Sequence, residues 1–254
     1  MRLALALSLL LLAALPARAE TVLAGLSQST VALTATFGGS EILVFGAIRR
    51  DAPVPPEAPP LQVIVTVEGP PQRLSVWRKG HRHIIWMNVE EVRVARAPSF
   101  YAVASTVPLP AALSATEDLR HSVSIPRAIR SFGTMAMAED APRFVEALIR
   151  LRTEDGLYVY APDTVELTDE TLFRSTVALP ANLVAGSYRA RVLLTRGGTV
   201  LDVHEASIDV RKAGVDLWLF TLSRNNPVAY GLLAVALAVA AGWGASAAFG
   251  LLRR

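Results

Sequence analysis

The chain contains no cysteine. That excludes disulfides, thioether-linked haem, cysteine-ligated iron–sulfur clusters and a cysteine nucleophile. It also excludes a lipoprotein anchor, which needs a cysteine at the cleavage site. Lysine is nearly absent: Lys79 and Lys212 are the only two, and arginine supplies the other basic residues. Also missing are the Gly-x-Ser-x-Gly elbow, His-Glu-x-x-His, a phosphate loop and a dinucleotide fingerprint. The acidic pairs Glu90-Glu91, Glu139-Asp140, Glu154-Asp155 and Asp169-Glu170 sit at expected element ends, where carboxylates cap helices or face water. No catalytic residue and no cofactor is expected, and the chain reads as a non-enzyme.

The formal charge of +3 does not mark a nucleic-acid binder. Four of the 25 basic residues, Arg2, Arg18, Arg253 and Arg254, stand at the ends, while all 22 acids lie between Glu20 and Asp216. The middle of the chain is therefore close to neutral, with no basic stripe for a polyanion.

What is abundant is apolar sequence, 52% of the chain, and much of it is concentrated at the two ends. Residues 1–19 read as a signal peptide: Arg2, an apolar run from Leu3 to Leu15 broken only by Ser8, then Pro16 and the small-x-small site Ala17-Arg18-Ala19. Residues 228–252 carry no charged side chain. At 1.5 Å per residue they make roughly 37 Å of helix, enough to cross a bilayer with some tilt. Arg253-Arg254 follow as a two-residue tail, and the signal peptide would leave that tail in the cytoplasm and the body of the chain in the periplasm of a bacterial inner-membrane protein. Ala234, Ala238, Gly242, Ser246 and Gly250 form a small-residue stripe that allows close approach of another helix. Just before the span, residues 213–226 are amphipathic, with Val215, Trp218, Leu219 and Leu222 on one face. That face suits either the outer leaflet or the exported domain.

Between these ends the dominant period is two. Val31, Leu33, Ala35 and Phe37 alternate with Thr30, Thr34 and Thr36; Leu61, Val63, Val65 and Val67 alternate with Gln62, Thr66 and Glu68, so both stretches read as half-buried strands. Glu41 to Ile48 is nearly all apolar and reads as buried on both faces. Pro53, Pro55, Pro56, Pro59 and Pro60 form a stiff connection. Further strands are expected at 72–78, 82–87, 90–95 and 99–105. Residues 108–156 are a helical insert: Ser114 to Glu117 is a capping box, and Asp140 caps a helix with Phe144, Leu148 and Leu151 on one face, a Glu146–Arg150 pair and Gly156 at its end. A second β block, 157–212, holds strands at 157–161, 164–168 and 171–179, then a Gly197-Gly198 hairpin with a bulge near Glu205. The fold class is mainly β: one or two immunoglobulin-like sandwich units, blocks 20–107 and 157–212, around a helical insert, plus one C-terminal transmembrane helix.

Three clusters invite a functional reading. His81 and His83 would share one face of a strand, and Met87, Met135 and Met137 could add soft ligands, but no further ligand is fixed, so no metal site is assigned. Arg78 and Arg82 could face an oxyanion. Trp86, Phe100 and Tyr101 gather much of the first block's aromatic content, as a buried cluster or as a surface for a partner.

The segments Val44-Phe45-Gly46-Ala47, Ile85-Trp86-Met87-Asn88, Pro98-Ser99-Phe100-Tyr101-Ala102 and Pro227-Val228-Ala229-Tyr230-Gly231-Leu232, running into Ala241-Gly242-Trp243, occur in this order. In them the chain resembles an uncharacterised alphaproteobacterial family of transmembrane proteins. The resemblance implies an exported body with one C-terminal membrane helix. It also implies an accessory role for a transporter, since members are often encoded beside a sulfite-exporter-type permease. The expected partners are thus the inner membrane and a permease, with a periplasmic solute- or metal-binding module as the alternative.

Overall fold

The computed structural model describes residues 20–50, 57–82, 84–132 and 141–252. The expected signal peptide, Asp140, Met135, Met137, His83, the prolines at 53, 55 and 56, and the two terminal arginines lie outside them. In chain order the strands are β1 (Glu20–Leu26), β2 (Thr30–Leu33), β3 (Ser40–Arg50), β4 (Leu61–Glu68), β5 (Pro71–Arg82), β6 (Ile85–Pro98), β7 (Tyr101–Ser105), β8 (Arg130–Phe132), β9 (Tyr158–Ala161), β10 (Glu166–Thr168), β11 (Leu172–Leu179), β12 (Gly186–Arg196) and β13 (Thr199–Lys212). The helices are α1 (Leu109–Ala112), α2 (Ala115–His121), α3 (Ile125–Ala128), α4 (Ala141–Glu154), α5 (Val215–Asn225) and α6 (Pro227–Leu252). The chain is mainly β with one long apolar C-terminal helix, as expected.

A four-stranded sheet runs β1-β3-β11-β10 and a six-stranded sheet runs β2-β13-β12-β4-β7-β9; β5, β6 and β8 make a third. Strands from both β blocks pair within each of the two larger sheets. β1 lies against β12, and β11 against β4 and β7, so these sheets pack face to face. Val22, Ile42, Val44, Ile48, Phe173, Val177 and Leu179 fill the space between from one side. The register of the six-stranded sheet places Val63, Val65, Val67, Ala190, Val192 and Leu194 on the other side, all buried.

β7 and β9 pair in parallel, which departs from the all-antiparallel immunoglobulin pattern. Two parallel neighbours need a long crossover to return the chain. The helical insert is that crossover, and it lies on the second face of the six-stranded sheet. The Tyr101 hydroxyl donates to the carbonyls of Ser122 (3.1 Å) and Val123 (2.8 Å), just past α2. Half of the expected capping box forms: the Glu117 amide donates to the Ser114 hydroxyl at 3.4 Å, while the Ser114 amide donates to the Gly198 carbonyl and the Glu117 carboxylate meets Arg120 and His121 instead. Gly156 ends α4 at φ +70°.

The burial of two strands is the reverse of the expectation. β4, with its alternating sequence, is buried on both faces, Thr66 and Glu68 included, because the insert covers its polar side. The nearly all-apolar β3 is buried on one face only, leaving Leu43 and Phe45 exposed. Other differences are local. The strand expected over 31–37 stops at Leu33, and Thr34 to Phe37 turn, with the Phe37 amide donating to the Thr34 carbonyl (3.1 Å). Residues 72–78, 82–87 and 90–95 are not separate strands but parts of one hairpin of 12- and 14-residue strands. The β12–β13 bulge lies where Leu194 and Thr195 face Asp202 and Val200, leaving out Leu201 rather than Glu205; the Gly197-Gly198 turn forms as expected, both at positive φ. Leu151 is exposed, and Arg150 reaches Glu154 (4.0 Å).

Two phenylalanines lie over glycines on β-strand neighbours. A Cβ on Gly46 would meet the Leu23 carbonyl oxygen and the Phe173 ring (2.6 Å), and one on Gly25 would meet the Phe45 ring (3.3 Å). An aromatic lying over a strand glycine restores the packing the glycine lacks. The Gly46→Ala variant is expected to lose about 3 kcal/mol, at the upper end of overpacking costs. Gly38→Ala, where a Cβ meets nothing within 4 Å, is expected to stay within about 0.5 kcal/mol of the parent. Thermal unfolding of the detergent-solubilised chain, followed by circular dichroism, measures both; equal midpoints for the two variants would contradict the packing.

Candidate functional site

The outer face of the four-stranded sheet carries an apolar patch that no other described residue covers. Leu23 and Leu172 both pair with Ala47, and Phe45 pairs with Gly25 and Arg174, so these residues share that face with Leu43. Leu23 is 56%, Phe45 45% and Leu172 57% exposed. Contiguous exposed apolar side chains on a rigid sheet are characteristic of an interaction surface.

A second exposed apolar group lies at the β5–β6 hairpin end. Ile84, Ile85, Trp86 and Met87 are exposed there, and the His81 and Trp86 rings meet edge to face at 5.6 Å. The three aromatics considered together from the sequence therefore separate. Trp86 projects from the hairpin, whereas Phe100 and Tyr101 are fully buried and belong to the core. Their burial follows from position: β7 is an inner strand between β4 and β9, covered on both faces. His81 lies beside Trp86, and among the described residues no three His, Asp or Glu side chains gather as a metal site. Arg78 pairs with Glu90 (2.5 Å) and lies over Phe144, its guanidinium carbon 6.0 Å from the ring centre.

The site that sequence reasoning missed lies between the six-stranded sheet and the insert. A cavity of about 260 Å³ is lined by Glu68, Arg96, Arg120, Arg127, Arg189 and Arg191, with His121 and Ser122 at its edge. Arg189 and Arg191 come from β12, Glu68 from β4, Arg96 from β6, Arg120 from α2 and Arg127 from α3. Glu68 serves two arginines, Arg189 at 2.5 Å and Arg96 at 3.4 Å. The hydrogen bond to Glu68 and the charge of that carboxylate raise the pKa of the Arg189 guanidinium, with Glu205 adding to the effect. Glu117 serves Arg120 (2.5 Å) and His121 (3.5 Å). Arg191 is 8% exposed and donates only to neutral oxygens: the His121 carbonyl (2.8 Å), Thr66 Oγ1 (3.3 Å), and the Tyr101 hydroxyl and Ser122 carbonyl (both 3.4 Å). The signal in the sequence was Arg-x-Arg on a strand too apolar to be an edge. Its partners are scattered over more than a hundred residues.

The C-terminal apolar helix forms as expected over Pro227–Leu252, long and apolar enough to cross a membrane, and its side chains from 228 to 246 are almost all exposed. Ala234, Ala238, Gly242, Ser246 and Gly250 all lie on it. Steps of four residues advance about 40° beyond a full turn each, so the five make a slanting stripe rather than a straight line. Nothing lies within 4 Å of a Cβ built on Gly242. In α5, Trp218 and Phe220 are both exposed, and the Arg224 guanidinium carbon is 5.7 Å from the Phe220 ring centre.

A family model described as "Putative transmembrane protein (Alph_Pro_TM)" matches residues 21–250. The chain belongs to this family. The match runs from the first residues of β1 to within the last turn of α6, so it takes in both the β body and the C-terminal apolar helix. No curated protein matches the chain. Among solved structures, the sporulation control protein Spo0M of Bacillus subtilis is similar at 11% identity and a TM-score of 0.30. The match covers 82% of this chain and 55% of Spo0M, so the chain spans about half the length of that protein.

Burial pushes the Tyr101 and Tyr158 hydroxyls up to about 12. A tyrosine held neutral in the fold but free to ionise when unfolded stabilises the fold fully below about pH 10 and loses that contribution as pH rises toward 12. Stability is therefore expected to fall between about pH 10 and 12, and the fall should be smaller in Tyr101→Phe. Denaturant titrations at stepped alkaline pH measure this; an equal fall in the variant would contradict the burial of that hydroxyl.

Proposed function

We propose that this membrane protein is a non-enzymatic, single-pass accessory subunit of an inner-membrane transporter, its β body on the periplasmic side and its C-terminus in the cytoplasm. The observation that carries the reading is the apolar outer face formed by Leu23, Leu43, Phe45 and Leu172. A β body released free into solution gains nothing from such a face, whereas one tethered beside a membrane partner buries it on docking. The helix stripe from Ala234 to Gly250 supports contact inside the bilayer, where close packing rather than hydrophobicity drives association. The kind of partner, a permease, comes from the resemblance in the sequence, and the apolar face is compatible with a large protein partner.

Crosslinked affinity purification of the intact chain from its native membrane, followed by mass spectrometry, tests this. A transporter is expected with the parent chain. Recovery should drop about tenfold or more in Phe45→Ser/Leu172→Ser, since central apolar anchors are worth 2 kcal/mol or more. Gly242→Leu/Ser246→Leu should lower it as well. Recovery of the chain alone, or undiminished recovery from both variants, would overturn the reading.

A further inference from the structure

We propose that the arginine-lined cavity between the six-stranded sheet and the insert binds a doubly charged oxyanion group of the phosphate or sulfate type. This does not rest on the accessory role. Five guanidiniums line the cavity and only one carboxylate, Glu68, lines it with them. That carboxylate is already divided between Arg96 and Arg189, and Glu117 outside is divided between Arg120 and His121. Arg127 has no carboxylate in ion-pair range among the described residues. Arg191 is accounted for in part: it neutralises the carbonyls at the end of α2, whose dipole is negative there. Arg191 meets neutral oxygens alone, and Glu205, opposite it in the sheet register, is not among the residues that line the cavity. The remaining forks converge from four different elements rather than one plane. A tetrahedral dianion offers several oxygens in different directions and matches them better than a planar carboxylate. A volume of about 260 Å³ is several times the ~30 Å³ share of a water molecule, so the anionic group has room for a small organic substituent. The polar lining argues against an apolar ligand.

The test uses the full chain in phosphatidylcholine nanodiscs, titrated calorimetrically with inorganic phosphate and with sulfate. Saturable binding is expected, weaker by about tenfold in Arg127→Gln, the loss of one charge-assisted donor. The Arg127 side chain makes no hydrogen bond or ion pair among the described residues, so Gln at this position is expected to spare the fold. Arg174→Gln is the control: Arg174 pairs with Glu166 on the first sheet, and its loss should leave affinity unchanged. Discs containing phosphatidic acid, whose phosphomonoester carries the same dianionic group, separate the two sources of the same chemistry. If they compete with free phosphate, the occupant is a lipid headgroup; without competition it is a soluble anion, and both outcomes uphold the cavity. Absence of saturable binding at millimolar anion, or equal weakening by Arg127→Gln and Arg174→Gln, would overturn it.

Discussion

The hydrogen-bonded seam between the six-stranded sheet and the crossover segment organises the rest of the body. Tyr101 and Arg191, from neighbouring regions of one sheet face, both reach the carbonyls at the end of α2. A helix end leaves carbonyl oxygens unsatisfied, and burying them without donors is costly. Here a phenol and a guanidinium supply those donors from the sheet. Once the insert is fixed, β4, β7 and β12 are buried on both faces, and the hydrophobic core extends through the sheet to β3 and β11 beyond it. The same seam creates the arginine cavity: a polar sheet face cannot be closed over completely, and the guanidiniums collect where it stays open.

The four-stranded sheet is the opposite case. Its inner face is ordinary core, and its outer face carries an apolar patch with no layer over it among the described residues. Phe45 and Phe173 lie on opposite faces, each over a glycine, so the sheet is packed tightly from both sides although only one side is covered. That tight packing gives the exposed face a fixed shape, which a docking surface needs if it is to bind without a large ordering cost. A salt-bridge pair holds the start of the body: Glu20 accepts from Arg196 (2.7 Å) and forms an ion pair with the Arg50 Nε at 3.3 Å.

Much of this architecture was legible in the residues. Period-two alternation located most strands, the capping box located α2, Gly197-Gly198 located the last hairpin, and an uncharged 25-residue run located α6. What alternation does not carry is which face meets a second layer. β3 and β4 were therefore read the wrong way round: the apolar strand faces outward to nothing in the monomer, and the alternating strand is covered by a segment forty residues downstream. The aromatic cluster misled for a related reason. Trp86 and Tyr101 are close in sequence, but one sits at a hairpin end and the other on an inner strand. The arginine cavity was illegible because its members come from five separate elements, and each arginine alone looks like a solvated strand or helix residue.

The lack of cysteine makes one measurement unusually direct. Trp86→Cys on the exposed hairpin and Arg254→Cys at the end of the chain give single thiols with no background. In spheroplasts, a membrane-impermeant maleimide should label position 86 at once and position 254 only after lysis, which is the result required of a periplasmic body with a cytoplasmic tail. Labelling of position 254 with position 86 protected would contradict the account at its centre, because it would put the apolar face and the arginine cavity on the other side of the membrane.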